Sequence, residues 1–585
     1  MMSIYLGQLY PGTKLAPRTI RLVAIKPGVF GDPISCTLET VSLDDHPHYR
    51  ALSYTWGDTR HKRHISLNGN LFVVNQDLHA ALRRLRHEQK WQTYWIDMLC
   101  INQADFDERS EQVVLMPKIY SKAKQVVFWL ADTTNDTTDN KMELTPTQVY
   151  AAKAFLERLE RDPSYQATEV DLVHEEILDT ISSILACSWW TRVWTVQEAI
   201  LPLRAILLMG PVHIQWETLV RAARNFMAQL EQNSLQHPPA YLHVMLRLYQ
   251  QVTVIEWIRE LRYSKEHLKL SFLLHAFRSR LCTDSRDKLF AFLGLVSELS
   301  IYARIIPDYK LSTSEVLGTI FEKLIPLEDN LNLLVRQKEG KRRLNLPTWM
   351  PDLTAEVDPR QSDLHMYVMY NLPRFFNASH RKPQGTLQMP SSPWKVDERS
   401  KCLSVQGLPF DKILEVSRHD PQRLPLKDEE HVEFLQTVLN DFKDPKKVYA
   451  RNRGLPYNLW CLVNFDQIVI KPPEGTISVQ IRTRKIKPDD YFGHTPPIQP
   501  LGVMAEFLPL FSCFTTEKGY IGLGPHDMKE GDDVCILLGA DVPFVLRPTR
   551  GGEKHEYVGH CFVQGIMDGE ALEGIVFCSS LFLKD

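Results

Sequence analysis

The chain has 585 residues, more than one hydrophobic core usually serves, so two or three domains are expected. With 44% hydrophobic and 24% charged residues its composition is ordinary for a globular protein, which excludes wholesale disorder. A formal charge of −3 gives no basic field for nucleic acid or an anionic membrane.

The opening "MMSIYLGQLYPGTKLAPR" has no basic segment followed by an apolar core, so no secretory signal is read there. "TIRLVAI" (19–25) and "ISCTLETVSL" (34–43) read as strands. "YRALSYTWGD" (49–58) is a strand that breaks at Gly57 and Asp58. "LNGN" (67–70) holds an Asn-Gly hairpin turn, and "LHAALRRLRHE" (78–88) has helical spacing at Leu78, Leu82 and Leu85. "YWID" (94–97) is a buried-strand candidate followed by the loop "INQAD". Asp105 and Glu108 fit a capping box, which starts a helix whose apolar face includes Val113, Met116, Ile119 and Tyr120. Pro117 predicts a kink or break within it. "QVVFWL" (125–130) is the next strand. Strand, helix and strand in so short a span predict a βαβ unit and a parallel sheet.

Residues 133–148 are polar and threonine-rich, a surface loop, and helices follow to about 330, among them "VYAAKAFLERLE" and "LVRAARNFMAQLEQ". From about 345 the texture becomes irregular. Beyond 400, β-type runs dominate: "CLSVQGLPF", "TISVQIRT", "DDVCILLGADVPFVL", "EYVGHCFVQGIM" and "GIVFCSSLFL". The expected domains are 1–215 (α/β), 216–345 (helical), 346–400 (irregular linker) and 401–585 (β-rich). "GYIGLG" (519–524) lies between β-type runs and reads as a hairpin turn, not a phosphate cradle. No apolar run is long enough to span a membrane. The basic clusters at 61–64, 340–343 and 482–485 are short and read as solvated surface, so no nucleic-acid partner is expected. Ten scattered cysteines form no CxxC pair, which points to reduced thiols and a cytoplasmic location.

The chemically suggestive stretch is "SWWTRVWTVQEAI" (188–200), with Trp189, Trp190 and Trp194 beside Glu198. If 182–201 is one helix, Trp190, Trp194 and Glu198 step by four along one stripe, and Arg192 lies on another face. Core packing of the indoles is one reading. The other is an apolar wall that desolvates Glu198 and raises its pKa. No hydrolase elbow, Walker loop, dinucleotide fingerprint or zinc motif accompanies it. No histidine stands at ligand spacing near Asp97 or the "DFDER" acids, so no metal site is expected.

Three blocks, "YRALSYTWGD", "WIDMLCINQADFDERSEQVVLMPKIYSKAKQVVFWL" and "WWTRVWTVQEAIL", resemble the signature motifs of the fungal heterokaryon-incompatibility (HET) domain. "TDSRDKLFAFLGL", "PDYKLSTSEVL", "LPTWMPDL" and the stretch 517–572 resemble segments that trail this domain. The resemblance implies non-self recognition ending in growth arrest or cell death. It implies as partner either self-association through the HET domain or an allelic or non-allelic incompatibility protein. HET domains are also similar in fold to Toll/interleukin-1 receptor (TIR) domains, which implies a parallel sheet flanked by helices. "ALSYTWGD" is similar to the TIR opening strand, with Ser53, Tyr54 and Asp58 matching. "WTVQE" is similar to the TIR "WCxxE" box, with Trp194 and Glu198 at the same spacing and Thr195 in place of cysteine. In catalytic TIR members that glutamate carries NAD⁺ cleavage. The resemblance therefore implies Glu198 as the catalytic residue and NAD⁺ as substrate, with no cofactor required.

A carboxylate near the ribose can stabilise an oxocarbenium-like state, and an indole face can stack on a cationic nicotinamide. Trp56, Gly57 and Asp58, then Asp97, Cys100, Asn102 and Gln103, stand where strands run into loops. With Trp194 they are the candidate ligand-binding residues, because open α/β sheets bind ligands at carboxyl strand ends. Structural turns fit the same loops. An enzyme and a non-catalytic signalling scaffold both remain open at this point.

Overall fold

A computed structural model describes residues 10, 14–57, 60–133, 144–165, 175–232, 239–264, 268–296, 305–336, 341–356, 377–379, 393–397, 401–417, 467–470, 482–485, 510–551, 554–573 and 579–583. Asp58, "TISVQ" (476–480) and most of the expected linker 346–400 lie outside them.

The N-terminal sheet has nine strands: β1 (Thr19–Ile25), β2 (Ser35–Ser42), β3 (Arg50–Ser53), β4 (Lys62–Leu67), β5 (Asn70–Asn75), β6 (Gln92–Trp95), β7 (Val126–Ala131), β8 (Ala205–Met209) and β9 (Val212–Gln215). Their spatial order is β5-β4-β2-β1-β6-β3-β7-β8-β9. Neighbours in the central run β6-β3-β7-β8 are parallel. β7 and β8 are buried at every residue, as expected of near-continuous apolar strands covered on both faces. The parallel sheet expected from the sequence is this central run, which antiparallel strands extend on either side. Strand β1 pairs antiparallel with both β2 and β6, and the β4–β5 and β8–β9 hairpins are antiparallel, so the sheet is mixed. The β4–β5 turn needs two left-handed residues, and Asn68 (φ 52°) and Gly69 (φ 76°) supply them.

Around this sheet run α1 (Gln76–Leu85), α2 (Asp97–Cys100), α3 (Phe106–Lys122), α4 (Pro146–Arg161), α5 (Glu175–Ala186) and α6 (Trp194–Ile200). Asp105 caps α3 by accepting from the N–H groups of Asp107 (3.0 Å) and Glu108 (3.1 Å). The return bond of the expected capping box is replaced, because the Glu108 carboxylate takes a two-pronged bond from Arg21 at 2.6 and 3.1 Å. The helix runs on past Pro117 without a break. The single helix expected over 182–201 is also corrected. α5 ends at Ala186, a 3₁₀ turn spans Ser188–Thr191, and Arg192 is extended before α6 begins. The cause is tertiary. Arg192 leaves helical geometry to bridge Leu281, and the next residue, Val193, donates its N–H to the Leu281 carbonyl at 2.8 Å.

The helical middle comprises α7 (Trp216–Gln232), α8 (Pro239–Ser264), α9 (Leu270–Ala276), α10 (Asp287–Val296) and α11 (Thr313–Glu328). The described chain divides into two units. One holds the residues up to Leu268 together with Arg280–Leu311, and the other holds Lys269–Ser279 and the described residues from Ser312 onward.

The second unit is β-rich, with β10 (Trp394–Asp397), β11 (Cys402–Val416), β12 (Gln467–Ile470), β13 (Arg482–Lys485), β14 (Ser512–Thr516), β15 (Ile521–Gly524), β16 (Asp533–Leu537), β17 (Phe544–Pro548), β18 (His555–His560), β19 (Phe562–Val563) and β20 (Ser579–Leu583). The long β11 pairs first with β20, then β16, then β14. Since β16-β17-β18-β20 also pair in sequence, the ring β11-β16-β17-β18-β20 closes on itself as a barrel. Gly407 lies at the changeover, where a Cβ would stand 2.6 Å from the Ile536 carbonyl oxygen. Inside pack Ile413, Phe514, Val534, Ile536, Val545 and Val558. "GYIGLG" is the β14–β15 hairpin, turned at Gly519 with φ 87°.

Candidate functional site

The chain makes β3, then β6 on one side of it, then β7 on the other. Such a reversal opens a crevice beyond the carboxyl ends of parallel strands. Ser53 ends β3, and Asp97 follows β6 by two residues. These two positions carry the site.

Glu198 reaches them from α6 and is only 2% exposed. Its carboxylate accepts a short hydrogen bond from the Ser53 hydroxyl, and the Trp189 indole N–H donates to the same hydroxyl oxygen at 2.7 Å. Trp189 is fixed by stacking on Phe128 (centroids 4.6 Å apart) and by the edge of Trp190 at 4.9 Å. Burial pushes the Glu198 carboxyl up to about 7 from an ordinary 4.5. The Arg192 charge and the hydroxyls of Ser53 and Tyr120 pull against that rise, and Asp97 adds to it. The Tyr120 hydroxyl, with one proton to give, also stands 3.3 Å from the Leu52 carbonyl.

Asp97 is a second, partly buried carboxylate. Burial raises it, while Arg192, the Trp56 indole, the Met98 N–H and Tyr54 oppose the rise. The Trp56 N–H donates to its Oδ2 at 2.8 Å and the Met98 N–H to its Oδ1 at 2.7 Å. Arg192 stands 3.8 Å from Oδ2, lies 5.6 Å from the Trp56 ring centre and donates to the Tyr54 carbonyl. One guanidinium thus serves two carboxylates, with the Trp56 ring beside it. Asn75 holds this loop at its other end. Its amide donates to the Trp56 carbonyl while its oxygen caps α1 through the Leu78 N–H at 2.7 Å. Gly57, at φ 60°, holds a left-handed backbone that other residues adopt only under strain, and a Cβ there, 1.9 Å from the Asp77 carboxylate, would also displace that side chain.

Among the residues singled out in the sequence, Trp56 and Asp97 therefore gather around Arg192, with Gly57 next to Trp56 in the chain, and Glu198 joins them through that charge. The others serve the surrounding frame. The Cys100 sulfur accepts from the Ile96 N–H at 3.3 Å, and burial pushes its thiol up to about 12, which leaves no thiolate at neutral pH. Asn102 caps its own turn through the Ala104 N–H, and its backbone N–H donates to Glu108 at 2.7 Å. Gln103 donates to the Asp97 backbone carbonyl at 3.0 Å. Trp194 keeps its one-turn spacing from Glu198 within α6, but its indole faces Asp287. Trp190 precedes α6, and its N–H donates to the Ile184 carbonyl at 2.9 Å. The indole tied to Glu198 through Ser53 is Trp189.

Sequence reasoning placed Arg192 away from Glu198 and passed over Tyr120 and Asn75. Asn75 carried a readable signal, a capping residue directly before a helical pattern. Arg192 and Tyr120 carried none, because each reaches the site from a different element.

A carboxyl with a pKa near 7 exists in both protonation states at neutral pH, which suits a general acid or base. Arg192 and the indoles offer a cation and flat apolar faces. Among the described residues no group of three histidine, cysteine or carboxylate side chains is placed to hold a metal. No described helix is long and apolar enough to cross a membrane.

Residues 49–198 match the family described as Heterokaryon incompatibility protein (HET), and residues 509–574 match the Het-6 beta-barrel domain. The Neurospora crassa protein "Heterokaryon incompatibility protein 6, OR allele" is 24% identical, over 94% of this chain and 94% of its own length. No solved structure matches. Ser53, Asp97, Arg192 and Glu198 all fall inside the first match. The barrel match spans β14 to β19, whereas the closed ring also needs β11 and β20.

Proposed function

We propose that this protein, which carries a HET domain and a Het-6 β-barrel domain, acts in fungal heterokaryon incompatibility and that its HET domain cleaves NAD⁺ at the nicotinamide–ribose bond. The observation that supports the chemistry is Glu198, a buried carboxyl raised to about 7 at the carboxyl ends of β3 and β6. In this reading the Ser53 hydroxyl occupies the place a ribose hydroxyl takes when substrate binds. Glu198 then holds that ribose hydroxyl and stabilises the positive charge that develops as the C–N bond breaks. Water adds to the ribose carbon and loses a proton to the Glu198 carboxylate, giving nicotinamide and ADP-ribose, and Glu198 then releases that proton to solvent. At 2% exposure Glu198 is closed off, so activation must open the structure around it. Self-association or binding of an incompatibility partner is the proposed trigger.

The same burial favours a second reading, in which Glu198 and Trp189 only hold the fold and the HET domain signals by association. The test is NAD⁺ consumption by the full chain, alone and concentrated to force assembly, beside a Glu198→Gln variant. Turnover lost in a folded variant supports the enzyme. No turnover by the assembled wild type, with growth arrest kept in Glu198→Gln, assigns the domain to signalling.

A further inference from the structure

Helix α6, which carries Glu198, is only seven residues long and has no side-chain cap at its start. So short a helix does not hold its own position. Three contacts from one later segment fix it. At its entry, Leu281 pairs with residues 191–193 as a parallel bridge, accepting from Val193 at 2.8 Å and donating to Thr191 at 2.5 Å. In its first turn, Trp194 faces the carboxylate of Asp287, which is 8% exposed and also accepts from the Tyr309 hydroxyl at 2.7 Å. One turn further, α10 lies so close at Gly294 that a Cβ would stand 2.2 Å from Pro117 Cγ and 2.4 Å from Gln197 Oε1. Gln197 is the residue before Glu198.

The segment is itself braced. Asp284 binds Arg286 at 2.7 Å, and the Arg109 and Arg286 guanidiniums lie over Tyr309 at 4.1 and 5.2 Å. Apart from Arg109, these bracing residues lie beyond residue 198, where the HET match ends. We infer that residues 280–296 belong to the Glu198 site, with Leu281, Asp287 and Gly294 acting as positioning residues that set α6 against the end of β3. The chain reaches this segment from α9 and leaves it for α11, whose ends are tied together in the second unit by Ser271 and Glu328 at 2.9 Å. The clamp is thus supplied by a stretch of chain outside the matched residues. A fragment ending near 215 lacks it.

The inference rests on Glu198 as the reacting group of the proposed function, and its test separates the two. In the full chain, Gly294→Ala and Asp287→Asn are each made with and without Glu198→Gln. The difference in thermal midpoint across pH 5 to 9 gives the pH at which Glu198 releases its proton. That proton answers to Arg192, Asp97, Ser53 and Tyr120, none of which is altered. Displacing α6 shifts the midpoint by about one pH unit and lowers NAD⁺ consumption about tenfold or more. Gly69→Ala, on the distant β4–β5 turn, moves neither. If Gly294→Ala does not fold, Asp287→Asn decides, because it keeps the side chain's size and turns one acceptor into a donor. Folded variants with an unmoved midpoint overturn the clamp. A wild type that consumes no NAD⁺ while the midpoint shifts overturns the chemistry and leaves the clamp standing.

Discussion

Asp352 and Glu198 are both buried carboxylates, 0% and 2% exposed, and their surroundings treat them in opposite ways. Asp352 sits in the turn that closes "LPTWMPDL" and accepts from the N–H groups of Arg343 (2.6 Å), Leu344 (2.8 Å) and Thr354 (2.9 Å) and from the Thr354 hydroxyl (2.6 Å). Burial pushes its pKa up, but these bonds outweigh it and hold the carboxyl below its usual range. Glu198 has hydroxyls and a shared guanidinium instead of a ring of backbone donors, and burial wins. A buried carboxylate with a full set of donors is a bracket for the chain. One left short of donors lowers stability, and such sites are where chemistry is found.

Four substitutions break or sharpen that contrast. The largest effect is expected from Asp352→Ala, which strands three part-buried N–H groups and the Thr354 hydroxyl and destabilises the second unit by about 3–5 kcal/mol. A fall in the urea midpoint measures it. Glu198→Gln is expected to act in the opposite direction. Because the folded-state pKa lies near 7 and the unfolded one near 4.5, the folded protein binds more protons between those values. Wild-type stability therefore falls as pH rises through that window. The glutamine variant escapes the fall and gains up to ~3 kcal/mol at pH 8, with little difference at pH 4. Thermal midpoints at the two pH values check it, and a variant no steadier at pH 8 would mean the carboxylate is better solvated than its surroundings indicate.

Ser53→Ala removes a donor from Glu198 and the acceptor of the Trp189 N–H, for a loss of about 2 kcal/mol. It also moves Glu198 deprotonation to higher pH, visible in the same pH series. Gly69→Ala comes last. No atom lies within 4 Å of the added Cβ, so only its left-handed backbone resists, at about 1 kcal/mol. A small drop in thermal midpoint with no change in the Glu198 pH step is the expected result.

Local chemistry was legible where neighbours in sequence are neighbours in space. "TIRLVAI" is β1, Asn68-Gly69 is the turn, Asp105 caps α3, and the β-type runs that lie among the described residues supply β11, β16, β17, β18 and β20. Glu198 and Ser53 stood out in the sequence, the first by its crowd of indoles. Their direct contact did not, since 145 residues separate them. The single helix over 182–201 failed for a related reason. Helical periodicity cannot register a strand-like bridge to Leu281, nearly ninety positions away from Val193.

By itself, then, the sequence determined most of the elements, the α/β start, the β-rich end and the crowd of indoles near Glu198. Those follow from period, turn chemistry and capping, which act over a few residues. Tertiary structure alone decided that Arg192 faces two carboxylates, that Trp189 and not Trp190 is tied to Glu198 through Ser53, and that α10 presses on α6 at Gly294. Burial and charge depend on every element that closes around a group, and no local pattern records which elements those will be.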